Sequence, residues 1–293
     1  MKGFLKKIYR YIPFKKQFFE ILRIIWVPPH TIYKHFHFRG IFKVNVGSGK
    51  AFRLQHYGFE IENEIFWRGL DNGWEKVSVG VWKQLCKGAT VIFDIGANTG
   101  VYSLIAKAIR PEAKVFAFEP VDRVFEKLKR NADLNGYDII CTGKAVSDFT
   151  GKAVIYDTYD AHVLSVTVNQ NLQAPGTRVI EKEIATITLK DFIEEQGLTR
   201  IDLMKIDVET HEAEVLDGFG EYLARFRPAL LIEILSDEVG ARVRRYVEGL
   251  DYLYFNIDEN KGIRQVDSIG QSDYYNYLVC SKATAQQLKL VQS

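Results

Sequence analysis

Val91-Ile-Phe-Asp-Ile-Gly-Ala-Asn-Thr-Gly100 runs from an apolar stretch into two glycines four residues apart. The apolar part suits a strand buried on both faces, and the glycines suit a tight turn opening a helix. Residues 101–109 predict that helix and residues 114–118 a second strand, by their periodicity. Outward from there the alternation repeats. Helices are expected at 123–134, 189–196, 211–219 and 238–250, and strands at 139–142, 201–206 and 229–235. Such alternation predicts an α/β fold built on a doubly wound, mostly parallel sheet. Residues 252–257 and 274–280 read as two further strands, an antiparallel pair at one edge joined by a turn-rich loop. An insertion at about 150–185 interrupts the pattern with short strands and the polar run Asn169-Gln170-Asn171.

In an open parallel sheet, ligands bind beyond the carboxyl ends of the strands where the strand order reverses. The first turn, residues 94–100, has G-x-x-x-G rather than the G-x-G-x-x-G that a dinucleotide pyrophosphate needs. Asp94 would also repel a pyrophosphate, so a nicotinamide enzyme is disfavoured. A cationic ligand suits the turn better, and S-adenosylmethionine carries an ammonium and a sulfonium. Gly96, Ala97, Asn98 and Gly100 then form its bed, and Asp94 orients its amino-acid part. Glu119, at the end of strand two, has the position of an acid that accepts both ribose hydroxyls, and Pro120 stops the strand there. After strand three, Ala145 and Val146 offer an apolar adenine face, with Asp148 at its polar edge.

The pieces 91–100, Phe116-Ala-Phe-Glu-Pro120, Ala145-Val-Ser-Asp148 and Ile201-Asp-Leu-Met-Lys-Ile-Asp-Val-Glu209 resemble the FkbM family of S-adenosylmethionine-dependent methyltransferases over about residues 75–280. The resemblance implies a class I methyltransferase fold and O-methylation of a sugar, glycan, glycolipid or secondary metabolite. It also makes Glu75 a cofactor-site candidate, in a stretch that closes over the cofactor. One departure stands out: Glu209-Thr210-His211-Glu212 has a threonine where the family commonly has the glycine of E-G-x-E. A non-catalytic scaffold that keeps the fold and the cofactor site is the alternative.

An alcohol attacks a sulfonium methyl poorly until a base takes its proton. Asp207, Glu209, His211 and Glu212 form the densest titratable cluster after strand four. His211 is the expected base, because imidazole titrates near neutral pH. Asp207 is expected to orient His211 or to hold the methionine portion. Lys205 points into the same cleft or into solvent. No metal is expected. In the alternative, Asp207, Glu209 and Glu212 hold Mg²⁺ and the two substrate hydroxyls bind it.

Net charge is only +2, which gives no case for nucleic acid. Three scattered cysteines, Cys86, Cys141 and Cys280, show no metal or disulfide spacing, and a cytoplasmic protein is expected. The charge is uneven. Residues 1–27 carry seven bases and one acid. Apolar stripes there (Phe4, Leu5, Ile8, Ile12, then Phe14, Phe18, Ile21, Leu22, Ile25) face lysines and arginines. They suit peripheral contact with an anionic membrane face, or packing on the main domain or a sister subunit. Residues 37–68 read as a small antiparallel unit, and a helix is expected at 78–86. The expected division is an extension over 1–50, helical and then β, and a cofactor-binding domain over 51–293.

Overall fold

The computed structural model describes residues 13–158 and 179–292. The stripe Phe4/Leu5/Ile8/Ile12 and the run Asn169–Asn171 lie outside them. The chain divides into two compact units between Trp74 and Glu75.

The first unit holds α1 (Lys15–Ile25), α2 (His30–Tyr33), β1 (Gly40–Gly47), β2 (Lys50–His56) and α3 (Glu60–Arg68). β1 and β2 pair antiparallel, and the division expected at residue 50 would cut this hairpin at its turn. Ser48 and Gly49 both have positive φ, 51° and 74°, as a tight hairpin turn requires. Period-2 alternation buries Phe42, Val44, Val46, Phe52 and Leu54 on one face. Phe66 of α3 packs on it, 5.5 Å from Phe42 between ring centroids. α3 lies within the stretch expected to be purely antiparallel. Its buried side carries the polar Glu62 and Asn63, so no apolar period announces it. Glu62 accepts from Phe59 N at 3.1 Å, and Asn63 donates to Tyr33 O at 2.8 Å.

The second unit opens with α4 (Lys76–Cys86) and continues as β3 (Val91–Ile95), α5 (Val101–Ile109), β4 (Lys114–Phe118), α6 (Asp122–Asn135), β5 (Ile139–Thr142), β6 (Ala145–Val146), β7 (Gly151–Thr158) and β8 (Val179–Ile187). Then come α7 (Leu189–Glu195), β9 (Leu203–Ile206), α8 (Glu212–Asp217), α9 (Glu221–Phe226), β10 (Ala229–Glu233), α10 (Asp237–Val247), β11 (Tyr252–Asp258), β12 (Gly262–Val266), β13 (Asn276–Ser281) and α11 (Lys282–Gln287). The main sheet has the order β12-β11-β13-β10-β9-β3-β4-β5. β5, β4, β3, β9 and β10 run parallel, and β13 is antiparallel to both neighbours. This is the expected α/β, doubly wound, mostly parallel sheet with antiparallel strands at one edge. β12 lies within the stretch read as loop and forms the true edge, half-exposed and polar enough to hide its period.

All five residues of β3 are buried, as a strand covered on both faces must be. Strands β7 and β8 of the insertion pair antiparallel and, with the preceding β6, form a separate three-stranded sheet, β6-β8-β7. The sheet order reverses between β3, whose next strand β4 lies on one side, and β9, which lies on the other. That switch point sets the place of the site.

Candidate active site

Two turns meet at the switch point. After β3, Gly96 N and Ala97 N both donate to Phe118 O, at 3.0 and 2.9 Å, which draws the turn over the end of β4. Gly96 has φ 76°, and a Cβ there would lie 1.8 Å from the Asp207 carbonyl oxygen. Gly96 is thus required by the close approach of the β9 end. Gly100 has φ 88°, and a Cβ there would lie 2.6 Å from Leu128 of α6. Asn98, in the left-handed region at φ 51°, gives its N–H to Glu119 Oε2 at 3.1 Å. The other Glu119 oxygen accepts from Val121 N at 2.9 Å, across Pro120. Burial pushes the Glu119 carboxyl up to about 7, against these two backbone donors.

Beside this turn, four charged side chains converge. Lys205 is 5% exposed and donates to Asp207 Oδ2 at 2.6 Å, with its Nζ 4.7 Å from the Tyr102 ring centroid. Burial alone would lower its pKa, but Asp207, Glu75 and Asp94 outweigh that and raise it, so Lys205 is a cation. Glu75 accepts from the Tyr102 hydroxyl at 2.6 Å. Burial raises its pKa against the opposing Lys205 charge and a hydrogen bond from Asn276. The backbone of Glu75 caps α4 at φ 45°, and Glu259 anchors the next turn by accepting from Val77 N at 2.6 Å and Ser78 N at 3.1 Å. Asp94 Oδ2 accepts from Ser103 N at 2.9 Å and Ser103 Oγ at 2.6 Å. Burial raises the Asp94 pKa, again against Lys205.

The second turn follows β9. Glu209 and Thr210 have φ 54° and 79°, so Thr210 holds the left-handed backbone that a glycine would take without strain. Glu212, fully buried, clamps the turn: its Oε1 accepts from Val208 N and Thr210 N, both at 3.2 Å. Burial pushes its carboxyl up to about 7. Its other oxygen, Oε2, is buried without a hydrogen-bond partner among the described residues. Among the described residues, no group of three or more His, Cys, Asp or Glu is arranged to hold a metal.

His211 does not pair with Asp207, contrary to the orienting role expected of that acid. Its Nε2 meets Ser147 Oγ at 3.0 Å, and its Nδ1 lies 3.6 Å from Glu214. Glu214 in turn pairs with Arg242. Burial lowers the His211 pKa, against the raising effect of Glu214 and Asp148. The imidazole therefore sits with the segment after β6, whereas Asp207 sits with Lys205. Val146 is buried in the main core. Ala145 packs on the cluster holding Val121, next to Glu119, where an adenine face would adjoin a ribose acid.

Tyr102, Asn276 and Glu233 went unnoticed in the sequence. Glu233 ends β10 and pairs in register with Asn276. Burial and the charges of Asp207 and Glu209 push its carboxyl far up, against Lys205. Its position as the last residue of a buried strand was the available signal.

Two buried oxygens, Asp94 Oδ1 and Asn98 Oδ1, have no hydrogen-bond partner among the described residues. The first belongs to one of three carboxylates around one lysine, and the second to the glycine turn. This donor set fits a ligand bearing an ammonium and a sulfonium, and it opposes a pyrophosphate. Together the strand order and the site define a doubly wound α/β protein with a buried cluster of acids around one lysine at its switch point. Residues 94–254, more than half of the chain, match the family described as the methyltransferase FkbM domain, and the chain belongs to that family. Methyltransferase sdnD of Sordaria araneosa is 34% identical over 156 residues, covering 44% of this chain and 60% of that protein. The hexuronic acid methyltransferase AglP of Haloferax volcanii is 26% identical over 155 residues, covering 53% and 60%. The 31-O-demethyl-FK506 methyltransferase FkbM of Streptomyces tacrolimicus is 33% identical over 153 residues, covering 44% and 58%. The matches thus span about three-fifths of each relative.

Proposed function

We propose that the protein is an S-adenosylmethionine-dependent O-methyltransferase acting on a hydroxyl of a sugar, glycan, glycolipid or related small molecule. The observation that carries this is the convergence of Glu75, Asp94 and Asp207 on Lys205, beside Glu119. In this reading Glu119 receives the ribose hydroxyls, Ala145 borders the adenine, and Glu75, Asp94 and Asp207 hold the ammonium. Lys205 offers a counter-charge to the carboxylate of the methionine portion. S-adenosylmethionine, when bound, supplies an electrophilic methyl group. The names of AglP and FkbM, a hexuronic acid methyltransferase and a 31-O-demethyl-FK506 methyltransferase, support an oxygenated acceptor.

The hydroxyl proton needs an acceptor. Glu233 is favoured over His211, because Glu233 shares the field of Asp207 and Lys205 while His211 is bonded to Ser147. A carboxylate whose pKa is raised is the stronger base, which suits it to an alcohol. The test is transfer of labelled methyl to hydroxylated acceptors, sugars and glycolipids included, with thermal shift by S-adenosylhomocysteine and by NAD alongside. Glu233→Gln should lower kcat by about 10²-fold or more with cofactor affinity kept, and remove a limb of the rate profile that rises as Glu233 ionises. Stabilisation by NAD alone defeats the cofactor reading. Cofactor binding with no transfer to any acceptor favours the scaffold alternative. Loss of kcat in His211→Ala but not in Glu233→Gln returns the base to His211.

A further inference from the structure

Helix α1 turns its apolar side outward. Phe19, 3% exposed, is its inner contact, stacked on Phe36 at 5.2 Å and tilted against Trp67 at 5.3 Å. Arg23 supports the same side. Its guanidinium lies 4.5 Å from the Phe66 ring centroid, and Nη1 donates to Phe66 O at 2.8 Å. The opposite side is a ridge of Phe18, Ile21 and Ile25, at 60, 62 and 80% exposure, spaced as one helical stripe, with Phe14, 75% exposed, just before the helix. Ile24 beside it is 83% exposed, and Trp26, just past the helix end, is 49% exposed. Eight of the thirteen exposed large apolar residues named among the described residues fall within residues 14–32. Single exposed apolar residues need no explanation, but a contiguous ridge does.

We propose that this ridge is a docking surface for an anionic lipid bilayer, with α1 lying in the interface plane. Charge selects the occupant. Residues 1–27 carry seven bases and one acid, and that acid, Glu20, pairs with Lys16 at 3.4 Å. The stretch 1–27 therefore carries a net positive charge, and an acidic lipid surface attracts it. The ridge itself is Phe and Ile, which need no hydrogen-bond partner, and Trp26 at its end suits the headgroup boundary. A protein interface of ordinary make-up would bring a polar rim to match. α1 has 11 residues, and no helix among those described is long and apolar enough to cross a membrane, so the helix lies on the surface.

The inference stands independently of methyl transfer, and its test reads binding alone. The full chain is sedimented with vesicles of phosphatidylcholine and with vesicles that also hold phosphatidylglycerol. Binding to the anionic vesicles alone is expected, weakening as salt is raised. The triple variant Phe18→Ser, Ile21→Ser, Ile25→Ser should reduce binding by at least about tenfold, with an unchanged melting temperature and solution mass. No sedimentation of the full chain at low salt overturns the proposal, as does a triple variant that sediments like the parent. A triple variant that halves the solution mass, from a parent that ignores both vesicles, assigns the ridge to a second copy of the chain and also overturns it.

Discussion

After β3 the chain reverses on Gly96, Asn98 and Gly100, whereas after β9 it reverses on Glu209 and Thr210. Each turn is held by a buried carboxylate that accepts two backbone N–H groups: Glu119 from Asn98 and Val121, Glu212 from Val208 and Thr210. Both carboxyls are pushed up to about 7 by burial. The first turn takes its left-handed backbone largely from glycine. The second imposes it on a β-branched residue, at a conformational cost. With a carboxylate clamp on both, glycine spares the first turn the backbone cost that the second turn must bear. A clamp leaves its own carboxylate buried.

The largest effect should come from Gly96→Ala. Its Cβ would meet the Asp207 carbonyl oxygen at 1.8 Å, which only backbone displacement relieves. Destabilisation of roughly 4 kcal/mol or more is expected in urea titration, with the fold rather than the ligand as the first casualty. A Gly96→Ala protein as stable as its parent would break the contrast between the turns.

Glu119→Ala comes next. Loss of a charged, paired acceptor should weaken S-adenosylhomocysteine binding by about 1.5–3 kcal/mol in calorimetry. The affinity of the parent should rise with pH up to about 7, because ribose hydroxyls donate to the ionised carboxyl. An unchanged dissociation constant removes Glu119 from the ribose site.

The clamp itself is tested by pH. In the folded protein Glu119 and Glu212 keep their protons up to about 7, while the unfolded chain releases them near the ordinary glutamate value. The folded state therefore binds more protons between those limits, and stability falls as pH rises through that window. The cofactor-free protein should melt lower at pH 8 than at pH 5.5, each group contributing on the order of 1–3 kcal/mol. Glu212→Gln should flatten part of that slope. A parent whose melting temperature is flat, or rises, across the window contradicts the clamp.

The smallest effect is Thr210→Gly. With φ at 79°, glycine should relieve about 1 kcal/mol of strain and raise the melting temperature slightly. A decrease would mean that the threonine side chain contributes more than its backbone costs.

Much of this molecule was legible early because its strands and turns are local statements. α5 and β4 run over the residues their periodicity indicated, Val101–Ile109 and Lys114–Phe118. The placing of Asp94 and Glu119 at the ends of two neighbouring strands was likewise readable from spacing, since a strand-turn-helix-strand unit fixes which residues end together. α3 and β12 were hidden for the opposite reason. α3 buries Glu62 and Asn63, whose polarity is satisfied only by partners elsewhere in the unit, and β12 is half-exposed.

The α/β alternation, the glycine turn and the acids at the strand ends are written locally along the chain. Each of these depends on near neighbours along the chain. Long-range packing makes Lys205 a buried cation among Asp207, Glu75 and Asp94, turns His211 to Ser147, and leaves the apolar stripe of α1 outward. Residue types near a turn state what chemistry is available. Which side chains meet depends on strand order and on burial, and both are set by contacts between residues far apart in the chain.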